Sequence, residues 1–63
     1  MTDIITDADK LKEAKRELAM RERVFPRWVE DGKISAGVAA HRIACMEAMV
    51  KDYEAVAEKE RLV

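Results

Sequence analysis

Apolar residues in the first half of the chain recur at alternating steps of three and four. Arg21 occupies one position where this spacing calls for an apolar residue. This is the spacing of a helix that packs along one side on another helix. Thr6 and Asp9 form a capping pair that sets the start of the helix, so we predict a first helix over residues 7–31. The positions of this stripe are Leu11, Ala14, Leu18, Arg21, Phe25 and Trp28.

The second half carries two such stripes on one long helix, predicted over residues 36–61. Ser35 is its expected N-cap, and the segment after Gly37 contains no glycine or proline. The first stripe is Ala39, Ile43, Met46, Val50, Tyr53 and Ala57, and the second is Val38, Arg42, Cys45, Met49 and Val56. One partner helix cannot cover both stripes, so the pattern predicts more than one neighbour.

The connection between the helices is short and is marked by Pro26 and Gly32. Proline lacks the amide hydrogen that an interior helical position uses, so the first helix is predicted to kink or break near Pro26. Glycine readily adopts the left-handed backbone conformation that ends a helix, so Gly32 is predicted to stop the first helix. Residues 32–35 are predicted to form the turn. The prediction is an all-α, antiparallel helical hairpin of one domain, with residues 1–6 frayed and Phe25 close to Arg42.

The size of the chain predicts self-association. A chain of 63 residues buries only about 60% of the surface that its unfolded form exposes, and its core is therefore marginal. Disulfides, metals and partner chains are the usual supplements. The chain has one cysteine, Cys45, and one histidine, His41, so neither a disulfide within the chain nor a metal site is supported. We therefore predict a homo-oligomer, in which two hairpins form a four-helix bundle or several form a ring.

Composition narrows the possible environments and partners. The net charge is -1, which argues against a general nucleic-acid binder. The charge is unevenly distributed, however. Residues 16–42 carry six basic and four acidic residues, whereas residues 43–63 carry three basic and five acidic residues. No apolar run approaches the ~20 residues that a membrane span needs. No secretion signal is evident, and we expect a reducing cytoplasm. Neither a metal nor another cofactor is predicted.

Arg21 and Arg42 are the most informative positions, because each lies on an apolar stripe of its own helix. A guanidinium group is rarely buried without a partner. In one interpretation Arg21 pairs with Glu17 or Glu47, while Arg42 lies along Phe25 or meets Glu22 or Glu30. In the other, both arginines line a site for an anionic group from another molecule.

Further candidate binding residues lie near the same end of the hairpin: Arg23, Phe25, Arg27, Trp28 and His41. Aromatic rings beside guanidinium groups suit stacking on a base and holding a phosphate. The alternative is that both aromatic residues belong to the core. We predict no catalytic residue and no enzyme activity, because Cys45 and His41 lack a third orienting group and no glycine-rich oxyanion loop is present.

Three segments carry a resemblance to known proteins: residues 17–29, with the sequence ELAMRERVFPRWV, residues 32–35, with the sequence GKIS, and residues 40–53, with the sequence AHRIACMEAMVKDY. Together they resemble a class of very small, uncharacterised helical proteins of tailed phages and prophages. The resemblance implies a phage accessory protein in the cytoplasm of a host bacterium and no catalytic residues. By analogy with other small phage proteins, we expect a host-defence inhibitor that sequesters an anionic nucleotide signal or blocks a host protein. The alternatives are a small DNA- or RNA-binding regulator and a purely structural phage component.

Overall fold

The first helix, α1, spans Asp7–Glu30 and begins at the capping pair that the sequence predicts. The Thr6 hydroxyl accepts a hydrogen bond from the Asp9 amide at 3.1 Å, and the Asp9 carboxylate accepts one from the Thr6 amide at 3.1 Å. The hydrogen bond from the Thr6 amide lowers the pKa of Asp9, because it stabilises the ionised form. The computed structural model describes residues 4–62, with side chains described as far as residue 59.

Helix α1 continues through Pro26 and ends four residues later. A break at Pro26 is therefore wrong, whereas a kink stays a prediction. Pro26 is exposed, while Phe25 is buried and Trp28 is half-buried. The proline ring therefore faces solvent, and packing of the aromatic residues on either side keeps this last turn helical. Tertiary packing of this kind regularly outweighs the ~3 kcal/mol by which proline disfavours a helix interior.

The turn between the helices is closed by backbone hydrogen bonds around Gly32. The Asp31 amide donates to the Arg27 carbonyl at 2.9 Å, and the Lys33 amide donates to the Trp28 carbonyl at 2.8 Å. Gly32 has the left-handed φ of 74° that the sequence predicts for this position.

The second helix, α2, spans Ala36–Leu62. Ser35 caps it, because its hydroxyl accepts from the Val38 amide at 3.1 Å. Both predicted helices are thus present, and their ends lie within one residue of the predicted boundaries. Of the residues predicted to fray, 1–3 lie outside the described residues, and 4–6 precede α1.

The two helices pack antiparallel along the first stripe of α2. Ala14 of α1 contacts Met46 and Val50 of α2 in the centre of the hairpin. Leu11, Leu18 and Tyr53 pack around these three residues. Lys15 and Glu54 form an ion pair across the helices at 3.7 Å, but both side chains are half exposed and such pairs contribute little. The predicted antiparallel hairpin is therefore confirmed, while its assembly into an oligomer stays a prediction.

The second stripe of α2 remains largely uncovered in the single hairpin. Val38, Met49 and Val56 are 49%, 46% and 42% exposed. Burying large apolar side chains is the main favourable term in folding, and a few hundred Å² of contiguous apolar surface commonly marks an interaction site. Three apolar side chains of the stripe that the periodicity assigned to a second neighbour thus stay substantially exposed in the single hairpin.

The two glycines provide a matched pair of stability predictions. Substituting Gly32→Ala should destabilise the hairpin by about 1 kcal/mol, since the left-handed conformation is unfavourable for alanine. Gly37 lies in the first turn of α2, and an added Cβ meets nothing within 4 Å. Gly37→Ala should therefore stabilise the protein by up to about 1 kcal/mol. Urea unfolding followed by circular dichroism checks both changes, and a G32A variant as stable as the natural protein would contradict this account of the turn.

Candidate binding surface at the turn end

Arg21 lies inside the hairpin seam, and two nitrogens of its guanidinium group donate hydrogen bonds within the chain. Its Nε donates to Glu17 Oε2 at 2.8 Å, and its Nη1 donates to the backbone carbonyl of Arg42 at 3.0 Å. The Arg21 side chain is only 18% exposed, so these partners compensate for the removal of its charge from water. Of the two interpretations made from the sequence, the internal pairing of Arg21 with Glu17 is confirmed.

Arg42, Phe25 and Trp28 form a small stack beside this pair. The Arg42 guanidinium carbon lies 5.0 Å from the centroid of the Phe25 ring, a distance suited to a cation–π interaction. The Phe25 and Trp28 rings are stacked, with centroids 5.3 Å apart and an interplanar angle of 28°. Phe25 is 1% exposed and closes the core at the turn end. The predicted proximity of Phe25 and Arg42 is thus confirmed, and the Phe25 ring is part of the core.

Arg23 and Arg27 lie on a different side of α1. Positions four apart share one face of a helix, and both positions are turned away from the seam that holds Arg21 and Phe25. Both arginines are exposed, and neither has a carboxylate partner among the side chains from residue 4 to residue 59. They are the cationic groups of this end of α1 that remain available to another molecule.

His41 lies on α2, apart from the arginines of α1. Its Nε2 is 3.5 Å from the Cys45 sulfur, one helical turn away, so these two side chains are in contact. The imidazole is exposed, and the thiol is half-buried. Within the described part of the chain, no three His, Cys, Asp or Glu side chains are grouped to hold a metal ion.

Between the described residues of the two helices, a larger and a smaller groove lie in the half of the hairpin away from the turn. The larger, about 880 Å³, is lined by α1 residues near Leu11 and by α2 residues near Glu58. The smaller, about 370 Å³, has Glu13, Glu17 and Met49 in its walls. None of the predicted ligand-binding arginines lines either groove, so a single chain presents the exposed Arg23 and Arg27 on an open surface.

The predicted binding residues therefore separate into three groups. Arg21, Phe25, Trp28 and Arg42 meet in one cluster at the seam, Arg23 and Arg27 lie on the exposed side of α1, and His41 lies beside Cys45. Sequence reasoning did not identify the backbone carbonyl of Arg42 as a partner of Arg21. No sequence signal marks that contact, because the acceptor is a main-chain atom that only the register of the hairpin brings into reach.

Comparison with known proteins gives no match to a family model, a curated protein or a solved structure. Neither helix has, within its described residues, an apolar stretch long enough to cross a bilayer.

Proposed function

We propose that this protein acts by binding and not by catalysis, as a homo-oligomer that presents Arg23 and Arg27 to an acidic surface of a bacterial host protein. The observation that supports the proposal is the exposure of these two arginines and their lack of a carboxylate partner among the described side chains. They lie one helical turn apart. Guanidinium groups in this state favour carboxylate or phosphate partners.

A protein partner suits this geometry better than a free nucleotide does. Small-molecule sites are concave and enclose most of the ligand surface. The two grooves of the hairpin lie away from Arg23 and Arg27. An open pair of arginines is instead suited to the surface of a macromolecule, where charges guide association and select the partner. The resemblance to small phage proteins supports a bacterial host as the source of that partner.

A charge-reversal experiment tests this function. The R23E/R27E variant and the natural protein would each be immobilised and exposed to bacterial lysate, with captured proteins quantified by mass spectrometry. The matched control is K51E/K59E, which makes the same change of net charge on exposed positions of α2. We expect R23E/R27E to capture at least about tenfold less of the host protein that the natural protein binds, equivalent to ~1.4 kcal/mol of binding free energy. The control variant should capture as much of that protein as the natural protein does.

Two results would overturn the proposed function. One is equal capture by the natural protein and R23E/R27E when circular dichroism shows both to be folded. The other is a rise in the melting temperature with cyclic di- or trinucleotides that R23E/R27E abolishes, since a ligand that binds the native state stabilises it. That second result would replace the host protein with a small nucleotide as the ligand of these arginines.

A further inference from the structure

The second stripe of α2 carries two charged side chains among its apolar residues. Extended to include Asp52, it runs along one side of the helix at steps of four, three, four, three and four. Arg42 and Asp52 are both exposed, and neither has an ion-pair partner among residues 4–59. The complete stripe is Val38, Arg42, Cys45, Met49, Asp52 and Val56.

This stripe is complementary to itself when it is reversed. Its steps are the same in both directions, so two copies of α2 can lie antiparallel with every position opposite another. Val38 then meets Val56 of the second copy, Cys45 meets Met49, and Arg42 meets Asp52. A parallel arrangement would instead place Arg42 beside Arg42 and Asp52 beside Asp52, and like charges in contact oppose association. The order of residues thus favours one orientation.

We propose that a second copy of this chain docks antiparallel on the stripe, α2 against α2, with Arg42 of each copy paired to Asp52 of the other. This inference rests on the proposed homo-oligomer and specifies its contact. The two-fold axis passes between Cys45 and Met49, at the level of Glu47. Such an isologous contact uses the same surface on both copies, which is the commonest form of closed protein dimer.

The stripe is long, because Val38 and Val56 are 18 residues apart on α2, which is about 27 Å along the helix axis. The Cα atoms of the hairpin extend over 46 × 28 × 13 Å, so it is a two-helix layer with broad faces. A stable interface of standard size needs only about 800 Å² from each partner. The pairing also accounts for the exposure of Val38, Met49 and Val56, since each of them is covered by an apolar residue of the second copy.

Two oppositely charged variants test the proposed orientation. In R42D, two aspartates face each other at each end of the contact, and in D52R two arginines do. Each variant alone should self-associate at least about tenfold more weakly than the natural protein, equivalent to ~1.4 kcal/mol, whereas their equimolar mixture should form a heterodimer with both ion pairs restored. Sedimentation velocity measures the association, and native mass spectrometry distinguishes the heterodimer by its mass.

The outcomes separate this inference from the broader proposal. A D52R variant that associates as tightly as the natural protein overturns the antiparallel contact and leaves the homo-oligomer standing. Restoration of the dimer in the mixture supports the contact. If the natural protein itself is a monomer, the proposed homo-oligomer fails, and the docking contact with it. Arg23 and Arg27 lie outside the stripe, so host-protein capture is judged separately.

Arg42 also contacts Phe25, so a loss of folding in R42D would weaken association for a reason unrelated to the dimer contact. A second measurement therefore leaves Arg42 unchanged. Met49→Cys places a thiol opposite the natural Cys45 of the second copy. Under mild oxidation M49C should yield a disulfide-linked dimer that migrates at twice the chain mass of 7.2 kDa. Ala48→Cys, exposed one position away and turned from the stripe, is the matched control and should yield far less of it. Equal cross-linking of the two variants would overturn the contact.

Discussion

Replacing Phe25 with alanine will unfold a large fraction of the protein at room temperature. Phe25 is 1% exposed, stacks on Trp28 and lies beneath the Arg42 guanidinium group, so alanine leaves a cavity where the helices meet at the turn. Removal of a buried phenyl ring typically costs about 3–5 kcal/mol. That cost is comparable to the total stability, about 3–5 kcal/mol, that one core supplies in a chain of this size.

Urea unfolding at fixed protein concentration, followed by circular dichroism, measures the effect of the Phe25 substitution. Phe25→Leu is the control, because leucine retains most of the apolar volume and should cost less than about 1.5 kcal/mol. An F25A variant with the unfolding midpoint of the natural protein would show that the turn end does not depend on this ring.

The second large effect is expected from two methionines that lie one helical turn apart on α2. Met46 is 6% exposed and packs against Ala14 and Val50, so Met46→Ala should destabilise the hairpin by about 2–5 kcal/mol. Met49 is 46% exposed on the uncovered stripe. Met49→Ala should therefore lower the stability of the single hairpin much less, and it should weaken self-association instead.

The pair of methionine variants separates folding from assembly, because the same chemical change is made on two faces of one helix. Urea unfolding at low protein concentration reports the stability of the hairpin, and sedimentation velocity at high concentration reports association. Equal loss of stability in the two variants at low concentration would contradict the assignment of Met46 to the core and Met49 to the outer stripe.

Local features of the fold could be predicted from sequence because neighbouring residues determine them. The capping pair of Thr6 and Asp9, the cap at Ser35 and the left-handed Gly32 each depend on the chemistry of residues within a few positions. The contact between Phe25 and Arg42 also followed from sequence, since a short turn fixes which residues of two antiparallel helices are level with each other.

Other features depend on packing that the sequence pattern does not encode. The continuation of α1 through Pro26 reflects the aromatic packing of Phe25 and Trp28 on either side, which outweighs the local preference of proline. Periodicity marked Arg21 as misplaced, but it could not decide between an internal partner and an external ligand. Sequence alone likewise did not predict that Arg23 and Arg27 lie apart from the stack at the seam, because their position depends on the orientation of α1 relative to α2.

The candidate site was therefore predicted only in part. Residue type and spacing identified a basic, aromatic end of the hairpin, and the structure places four of the seven predicted residues together there. It gives Arg21 an internal role and leaves Arg23 and Arg27 exposed. Periodicity also identified two stripes on α2, but only the packing of the helices determines that the first is buried and the second is exposed.

We propose that one hairpin cannot cover its own apolar surface and that copies of the chain therefore associate. The most direct test is the melting temperature measured over a wide range of protein concentration, together with the mass in solution from light scattering. We predict a melting temperature that rises with concentration and a mass that is a multiple of 7.2 kDa, because association stabilises the folded state by mass action. A fully helical monomer of 7.2 kDa that melts cooperatively at the same temperature at every concentration would contradict the account.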